Sequence, residues 1–366
     1  MRVAIVCRDL GGLGGTTRVV VENARGFVAR GWQVDVLAYA YDRQRVEETG
    51  ARLRPVPGIP WGSWTKRRLF AAAADWMTRG YDAVHGHGDA LRQDVMSLHN
   101  CVHAAHEAIH GTPLPAANAV GRLHALQLSE RRFRVLICNS KMMADEVRRR
   151  FGVPPEMTRV IYPAYDPGQF NMVEKERLRA EGRAELGLGA DDTVVGLITS
   201  GDFVKRGVKH FIEAIAQVSR RRPGLKAVVI GKEARLAPYE AQARRLGVAD
   251  IMRFHPSGPR VERYYHALDV YCLPALYEEF GMSVEEALAC GVPAVCGDKV
   301  GAAELFPPEM RRFAVDPRGP ELADRLEELA ADAGLRARLA AAAPSAVAGN
   351  TWAANVAATA DCLVKR

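Results

Sequence analysis

The chain has 366 residues, of which 48% are hydrophobic and 25% charged. This is the composition of a globular protein and excludes a disordered or fibrous one. Its length predicts two domains, each with its own core. A net charge of +7 favours anionic partners: phosphorylated small molecules, nucleic acid or an anionic membrane surface. Charge alone does not choose among them.

Neither the cysteines nor the apolar runs indicate an exported or membrane-spanning protein. The seven cysteines are scattered and form no C-x-x-C pair, so no disulfide framework or cysteine zinc site is predicted. The N-terminus "MRVAIVCRDL" lacks the apolar region of a signal peptide, and no apolar run approaches the ~20 residues of a spanning helix. We expect a cytoplasmic protein, soluble or peripheral on the inner face of the membrane.

Strand-like and helical patterns alternate along both halves of the chain. Short buried strands are predicted at Val3–Val6, Val34–Leu37, Ala83–His85, Val95–Leu98, Val135–Cys138, Thr193–Ile198, Lys226–Ile230, Val270–Leu273 and Pro293–Cys296. The helices predicted between them include Thr17–Arg30, Lys141–Arg150, Val208–Arg220 and Ser283–Cys290. This alternation indicates an α/β protein with parallel sheets and two Rossmann-like, doubly wound domains. Ligands of such sheets bind at the carboxyl ends of the strands.

The domain boundary is predicted in "IYPAYDPGQFN", Ile161–Asn171, which has prolines, a glycine and no periodicity. We therefore divide the chain into an N-terminal domain, 1–168, a C-terminal domain, 169–350, and a final helix, 351–366.

Two strand-to-helix loops have residues suited to phosphate. The first holds glycines at 11, 12, 14 and 15, which let backbone N–H groups and a helix N-terminus approach an anion. It does not meet the dinucleotide pattern G-x-G-x-x-G, because Thr17 stands at the third glycine, so a nicotinamide cofactor is disfavoured. The second loop, "TSGDFVKRG", holds Lys205 and Arg206, and Lys232 ends the next strand as a third cation.

The most informative stretch is "PALYEEFGMSVEEALACGVPAV", Pro274 to Val295. Ser283 and Glu286 have the S-x-x-E spacing of a capping box, which by itself gives Glu286 a structural role. Glu278 lies in a loop at the ligand end of the sheet, where a carboxylate can accept hydrogen bonds from sugar hydroxyls. Phe280 and Gly281 bring N–H groups to a helix N-terminus suited to phosphate.

This stretch resembles the signature of the family 4 retaining glycosyltransferases. The matching residues are Pro274, Glu278, Phe280-Gly281, Glu286-Ala287 and Gly291-Val292-Pro293. Further matches cover essentially the whole chain: the pair Gly14-Gly15, His99, Asp166, Phe170, Glu304 and Trp352. The resemblance implies the GT-B fold, with two Rossmann-like domains facing across a cleft and a C-terminal helix crossing back to the N-domain. The "SGDFVKRG" loop is most similar to that of lipopolysaccharide-core glucosyltransferases.

The resemblance also implies roles for residues. The N-domain would bind the acceptor and the C-domain the nucleotide sugar. Glu286 would bind the ribose, Glu278 would contact the transferred sugar and His99 would orient it. The diphosphate would be held by Gly15, Lys205, Arg206 and the N–H groups of Phe280, Gly281 and Met282. The predicted nucleotide-sugar site also includes Gly14, Lys232 and Ser283. No cofactor and no metal is expected. Two residues depart from the family pattern: Asp202 stands where an arginine is frequent, and Glu279 replaces the usual glycine.

The predicted function is metal-independent, retaining transfer of a hexose from a nucleotide sugar, most simply a UDP-sugar. The acceptor would be a glycan or a lipid-linked molecule in cell-envelope polysaccharide or lipopolysaccharide synthesis. Two alternatives remain at this stage: a nucleotide-sugar epimerase on the same fold, and a nucleotide-sugar-binding protein without catalysis. Nucleic acid is not expected as a partner, because no platform of aromatic and basic residues for bases is present.

Two other features carry weaker predictions. His103, His106 and His110 share one helix face, but no cysteine or aspartate completes a metal set, so uncoordinated histidines are expected. The segment Trp61–Asp82 combines tryptophans with Lys66, Arg67 and Arg68. This pattern fits either a helix lying on an anionic membrane or an amphipathic core helix with a solvated basic edge.

Overall fold

The computed structural model describes residues 1–12, 14–58 and 63–364. The chain forms two compact units: the first comprises Met1–Ala164 and the helix Trp352–Val364, and the second comprises Tyr165–Thr351. The boundary at Ala164 lies inside the stretch Ile161–Asn171, where prolines interrupt periodic structure.

Unit 1 is built on a parallel sheet. Its strands are β1 Arg2–Val6, β2 Asp9–Leu10, β3 Gln33–Ala38, β4 Ala40–Tyr41, β5 Arg52–Pro55, β6 Ala83–Gly86, β7 Val95–Leu98, β8 Val135–Cys138 and β9 Thr158–Val160. Seven of them form one sheet in the order β5-β3-β1-β6-β7-β8-β9, and β2 pairs with β4 separately. The helices are α1 Gly15–Ala29, α2 Arg43–Glu47, α3 Ser63–Met77, α4 Val102–His110, α5 Ala119–Glu130 and α6 Lys141–Phe151.

Unit 2 repeats the same plan with six strands. These are β10 Thr193–Ile198, β11 Leu225–Ile230, β12 Met252–His255, β13 Val270–Leu273, β14 Ala294–Gly297 and β15 Ala314–Val315. They form a parallel sheet in the order β12-β11-β10-β13-β14-β15. The helices are α7 Lys175–Leu186, α8 Val208–Ser219, α9 Ala237–Arg245, α10 Glu262–Ala267, α11 Met282–Ala289, α12 Glu321–Ala331 and α13 Ala333–Val347. Both units are therefore Rossmann-like, as the alternating pattern predicts.

The final helix, α14 (Trp352–Val364), is part of unit 1. Val356, Ala360 and Leu363 join the core that α1 and the strands β1 and β3 form. The Asn355 side chain donates a hydrogen bond to the carbonyl of Tyr162, over 2.7 Å. Burial of these apolar side chains is what holds α14 on unit 1.

The central strands are apolar because helices cover both faces of a parallel sheet. Residues 3–6 of β1 are fully buried, as are all four residues of β13 and of β14. The nine strands predicted from the sequence all coincide with observed strands, shifted by at most one residue at their ends. All seven cysteines lie in the described ranges, where they form no disulfide and are buried, in agreement with their apolar surroundings in the sequence.

Candidate active site

Two loops of unit 2 meet at the carboxyl ends of neighbouring strands. The loop after β10 ends at Gly207, and the loop after β13 begins at Pro274. Gly207 has φ +70°, and a Cβ at this position would overlap the carbonyl oxygen of Pro274. The backbone N–H of Leu276 donates to the carbonyl of Lys205 over 3.1 Å. Only glycine at 207 permits this approach, which brings the cations of one loop to the carboxylates of the other.

Four charged side chains meet where these loops touch, and we call them the four-charge cluster: Lys205, Arg206, Glu278 and Glu279. Arg206 forms an ion pair with Glu278. The Lys205 ammonium lies 2.7 Å from Oε2 of Glu279 and 3.8 Å from Oε2 of Glu278. The Glu279 side chain is only 3% exposed. Burial lowers the pKa of Arg206, and the charge of Glu279 opposes that shift. The cluster has a formal charge of zero.

Glu279 departs from the family pattern, and the structure gives it a partner in Lys205. The same holds for Asp202, which stands where the family often has arginine. Its carboxylate accepts a hydrogen bond from the backbone N–H of Lys205 over 3.1 Å, and its backbone has φ +53°. Asp202 therefore shapes the loop that carries the two cations.

Glu286 does not form the capping box that its spacing suggests, and this interpretation was wrong. Helix α11 begins at Met282, and its N-cap is Gly281 with φ +94° and no side-chain cap. Ser283 is already the second helical residue, so its hydroxyl cannot cap the helix; instead it accepts a hydrogen bond from Tyr271 over 2.7 Å. Glu286 accepts one from the hydroxyl of Tyr265, also over 2.7 Å.

Tyr265 and Tyr271 are site residues that sequence reasoning missed. Burial raises the pKa of both hydroxyls, and the nearby charge of Glu286 raises it further. They therefore remain protonated donors at neutral pH. Phe170 packs edge-on against Tyr265, with ring centroids 5.7 Å apart. Both tyrosines stand in "YYHALDVYCLPA" just before the signature, but the sequence does not show which way a buried tyrosine points.

Lys232 is exposed and follows the end of β11. Its carbonyl oxygen lies 3.0 Å from where a Cβ on Gly201 would be, so the two loops that follow β10 and β11 are adjacent. Lys232 therefore lies on the same edge of the sheet as the four-charge cluster, without belonging to it.

In unit 1, the glycine-rich loop lies between β2 and α1. Gly14 is the N-cap of α1 without a side-chain cap, and Gly15 is its first residue. A Cβ on Gly11 would come no closer than 3.6 Å to another atom, one on Gly12 no closer than 4.0 Å, and one on Gly14 would meet nothing within 4 Å. Packing against the described residues therefore does not require glycine at these positions.

His99 follows β7 and forms part of a histidine group. Its Nε2 lies 2.8 Å from Nδ1 of His87, which follows the neighbouring strand β6. In the same way, Nε2 of His85 lies 2.8 Å from the hydroxyl of Ser97. Burial lowers the pKa of His85 to about 3 and that of His99 to about 4. Burial also lowers the pKa of His87, with the neighbouring histidines adding to the shift. All three rings are neutral at pH 7.

The histidines of α4 have other contacts. His103 packs edge-on against Phe151, with centroids 5.5 Å apart, and the rings of His106 and His110 lie 4.4 Å apart. Within the ranges that the structure describes, no three His, Cys, Asp or Glu side chains are grouped so that they could hold a metal ion.

Helix α3 covers most of the segment that could contact a membrane, while Trp61 lies outside the described residues. Two cations of its basic cluster have partners inside unit 1. Lys66 lies over the Tyr39 ring at 4.6 Å, and Arg67 donates to Asp89 over 3.1 Å. By contrast, Trp76 is 68% exposed and Leu69 is 45% exposed. Among the described helices, none has both the length and the apolar character needed to cross a bilayer.

Both units resemble known glycosyltransferases in sequence. Residues 181–346 match the glycosyl transferases group 1, and residues 13–169 match Glycosyltransferase Family 4. A D-inositol 3-phosphate glycosyltransferase of Streptomyces bingchenggensis is 28% identical in an alignment 375 positions long. The alignment covers 95% of this chain and 77% of that protein.

Two solved structures show the same fold over nearly the full length of both chains. WaaG, a glycosyltransferase involved in lipopolysaccharide biosynthesis, superimposes with a TM-score of 0.82 at 20% identity, and the match covers 100% of each chain. Anabaena Alr3699/HepE in complex with UDP and glucose superimposes with a TM-score of 0.80 at 20% identity, and the match covers 99% of each chain. The fold and the matched regions define a glycosyltransferase that acts on nucleotide sugars. The chain belongs to the family 4 glycosyltransferases, which have the GT-B fold.

Proposed function

We propose that the protein transfers a hexose from UDP-hexose to a glycan or lipid-linked acceptor with retention of the anomeric configuration and without a metal ion. The observation that carries this proposal is the four-charge cluster beside the uncapped N-terminus of α11. It combines two cations, two carboxylates and the start of a helix that has no side-chain cap, within two adjoining loops.

Lys205 and Arg206 hold the donor diphosphate in this proposal. Cleavage of the sugar–phosphate bond leaves negative charge on the diphosphate, and fixed cations and N–H donors stabilise that charge as it develops. In the structure the same cations pair with Glu278 and Glu279. The diphosphate therefore replaces carboxylates as their partner. The N–H groups of Phe280, Gly281, Met282 and Ser283 add the positive end of α11.

The carboxylates of Glu278 and Glu286 bind the uncharged parts of the donor, the hexose and the ribose. Glu278 accepts hydrogen bonds from hydroxyls of the transferred hexose. Glu286 accepts them from the ribose, while the Tyr265 hydroxyl holds the Glu286 carboxylate in place. Lys232, at the end of the neighbouring strand, adds a further cation to the diphosphate. The leaving phosphate itself takes the proton of the acceptor hydroxyl, so this scheme needs no side chain as general base.

Unit 1 is assigned to acceptor binding, with two contributions to the donor. The glycines of the first loop have room for a closer neighbour than their own chain provides. We assign the N–H groups of Gly14 and Gly15 to a phosphate at the start of α1, and His99 to orienting the sugar.

The choice of uridine and of a cell-envelope acceptor rests on the relatives. Alr3699/HepE is described as a complex with UDP and glucose, and WaaG as involved in lipopolysaccharide biosynthesis. Relatives described as D-inositol 3-phosphate glycosyltransferases cover a similar share of the chain, so inositol 3-phosphate is tested as an acceptor beside lipopolysaccharide core.

A donor panel tests the proposal. The purified protein is incubated with UDP-glucose, UDP-galactose, UDP-N-acetylglucosamine, GDP-mannose and ADP-glucose, with truncated lipopolysaccharide core or inositol 3-phosphate as acceptor. We expect transfer from a UDP-hexose, full activity in EDTA, and a product with the α configuration of the donor by proton NMR. A β product, or activity lost in EDTA and restored by Mg²⁺ or Mn²⁺, would overturn the retaining or the metal-free mechanism.

We also propose that unit 1 contacts anionic membranes through the outer face of α3, defined as Arg68, Leu69 and Trp76. Leu69 and Trp76 are exposed at helical spacing, seven residues apart, and Arg68 is exposed beside them. Exposed apolar side chains next to a cation suit a lipid surface with anionic headgroups.

Liposome flotation tests this contact. Binding to vesicles with anionic lipid at low salt should fall several-fold in Trp76→Ser, but not in Val173→Ser. Val173 is 86% exposed on unit 2 and serves as the matched control. Equal, negligible binding of all three proteins to anionic and neutral vesicles would exclude the membrane contact and favour a water-soluble acceptor.

A further inference from the structure

The contacts of His85, His87 and His99 follow from the register of two neighbouring parallel strands of unit 1. In the pairing of β6 with β7, His85 is opposite Val95 and Gly86 is opposite Met96. Side chains alternate between faces along a strand, so His85 and His87 share one face with Ser97 and His99. His85 and His87 each contact the side chain two positions beyond the residue opposite them: Ser97 for His85 and His99 for His87. The contact between His85 and Ser97 is thus repeated two residues later as the contact between His87 and His99.

The hydrogen bond between the two rings requires one proton between two nitrogens. Both rings are neutral, because burial keeps the pKa of His87 and His99 below the ordinary value. One arrangement places the proton on Nδ1 of His87, which then donates to Nε2 of His99. The other places it on Nε2 of His99, which then donates to Nδ1 of His87.

The other ring nitrogen of His87, Nε2, decides between these two arrangements. Nε2 of His87 is buried and has no hydrogen-bond partner among the described residues. In the second arrangement this nitrogen carries a proton, which gives a buried N–H without an acceptor. Such orphaned donors are rare in proteins, because the cost of removing the N–H from water is not recovered. In the first arrangement the same nitrogen has only an unused lone pair.

From this geometry we infer that His87 is a positioning residue, which donates to Nε2 of His99 and so fixes His99 as the Nδ1–H tautomer. His99 is half-buried, whereas His87 is buried. His99 is then a neutral hydrogen-bond donor at Nδ1, able to donate to an oxygen of the sugar and unable to act there as a base. The assignment of that oxygen rests on the proposed function, while the tautomer itself does not.

The tautomer can be measured directly, without substrate. Long-range ¹H–¹⁵N correlation spectra distinguish a protonated from an unprotonated ring nitrogen at each position of His99. In the wild-type protein at pH 7 we expect a proton on Nδ1 of His99 and none on Nε2. A proton on Nε2 of His99 would overturn the inference, whatever the activity of the enzyme.

Three variants test whether His87 is the cause. His87→Asp replaces the donor by a carboxylate, which can only accept, and should therefore place a proton on Nε2 of His99. His87→Asn retains an N–H close to the position of Nδ1 and should keep the Nδ1–H tautomer. Ser97→Ala removes the partner of His85 but not that of His99, so it should leave the tautomer of His99 unchanged. An Nε2 of His99 that stays unprotonated in a folded His87→Asp would contradict the positioning role, and so would loss of the Nδ1–H tautomer in Ser97→Ala.

Kinetics give the second readout. With a UDP-hexose donor, His87→Asp should lower kcat on the order of 10- to 100-fold and leave the Kd for UDP unchanged, and His87→Asn should restore much of the loss. A changed Kd for UDP with an unchanged kcat would refute a role at the sugar. If the wild-type protein transfers no hexose at all, the proposed function fails, while the tautomer measured by NMR still tests the inference about His87.

Discussion

The four-charge cluster of unit 2 and the histidine group of unit 1 lie at equivalent edges of two similar sheets but differ in electrical state. The cluster holds four full charges whose sum is zero, and each cation has a carboxylate partner. The histidine group is uncharged, because burial lowers the pKa of His85, His87 and His99. A buried charge requires a partner, whereas a neutral ring requires only a hydrogen bond.

This difference suits the two parts of a nucleotide sugar. A diphosphate can replace the carboxylates as the partner of the cations in the cluster, because both are negatively charged. A sugar hydroxyl offers only hydrogen bonds, and a neutral imidazole held in one tautomer can supply one without attracting phosphate. Five predictions test this contrast, and those expected to change activity or stability most come first.

Removal of the Glu278 charge should have the largest effect. Glu278→Gln should lower kcat on the order of 100- to 1000-fold and change the Kd for UDP by less than about threefold, because its substrate partner is the sugar. Steady-state kinetics and calorimetry measure the two quantities. Glu309→Gln, whose side chain is 53% exposed, is the control. A parallel loss of UDP binding would mean that Glu278 serves only to hold Arg206.

Replacement of both cations should weaken binding of the nucleoside diphosphate but not of the nucleoside. In Lys205→Ala with Arg206→Ala, the Kd for UDP should rise about 10- to 100-fold, since a hydrogen bond to a charged group contributes about 1.5–3 kcal/mol. The Kd for uridine should hardly change. Lys209→Ala, an exposed lysine of the adjacent helix α8, should behave as wild type. Equal, small changes for both ligands would show that these cations do not bind the diphosphate.

Glu286→Gln tests the carboxylate that the tyrosine holds. The Kd for uridine and for UDP should rise together, about tenfold, because both contain the ribose. Thermal stability should fall little, since Glu286 does not cap α11. Tyr265→Phe keeps the carboxylate but removes its hydrogen bond, and should give a smaller rise. Normal uridine binding by a folded Glu286→Gln would exclude the ribose contact.

Glu279→Gln should move stability and affinity in opposite directions. The change leaves Lys205 without its 2.7 Å partner, so the melting temperature of the unliganded protein should fall. UDP then supplies the missing negative charge, and its Kd should decrease about fivefold, equivalent to ~1 kcal/mol. Differential scanning fluorimetry with and without UDP measures both effects. Weaker UDP binding would mean that Glu279 orients Lys205 rather than competing for it.

The uncharged state of the histidine group predicts a dependence of stability on pH. The folded pKa is about 3 for His85 and about 4 for His99, below the ordinary value near 6.5. Between these pH values the unfolded chain binds more protons than the folded protein. The free energy of unfolding should therefore be highest above pH 6.5 and should decrease as the pH falls towards 4.

Urea titrations between pH 7 and pH 4.5 measure this slope. A folded His85→Gln should flatten it by up to ~1 kcal/mol per pH unit, and His110→Gln, at the exposed end of α4, should not. An identical slope in His85→Gln and wild type would show that His85 is not held neutral by the fold.

The sequence by itself determined the central framework of both sheets. The nine predicted strands were found, because strands covered on both faces consist of continuous apolar residues. The strands that were missed include β5, β9, β12 and β15, which are the edge strands of the two main sheets. Edge strands are partly solvated and carry charged residues, as in "RLRP" and "MRFH", so their sequences lack the apolar signal.

The sequence also determined the family and the residues worth examining, because a motif records residue types at fixed spacings. Only the tertiary structure decided which of those residues are partners. The capping box between Ser283 and Glu286 was wrong because a left-handed turn makes Gly281 the N-cap of α11, two residues before Ser283. The pairing of Lys205 with Glu279 joins residues 74 positions apart, and the contact between His87 and His99 depends on the register of two strands. Local propensity sets elements, whereas packing between elements sets these contacts.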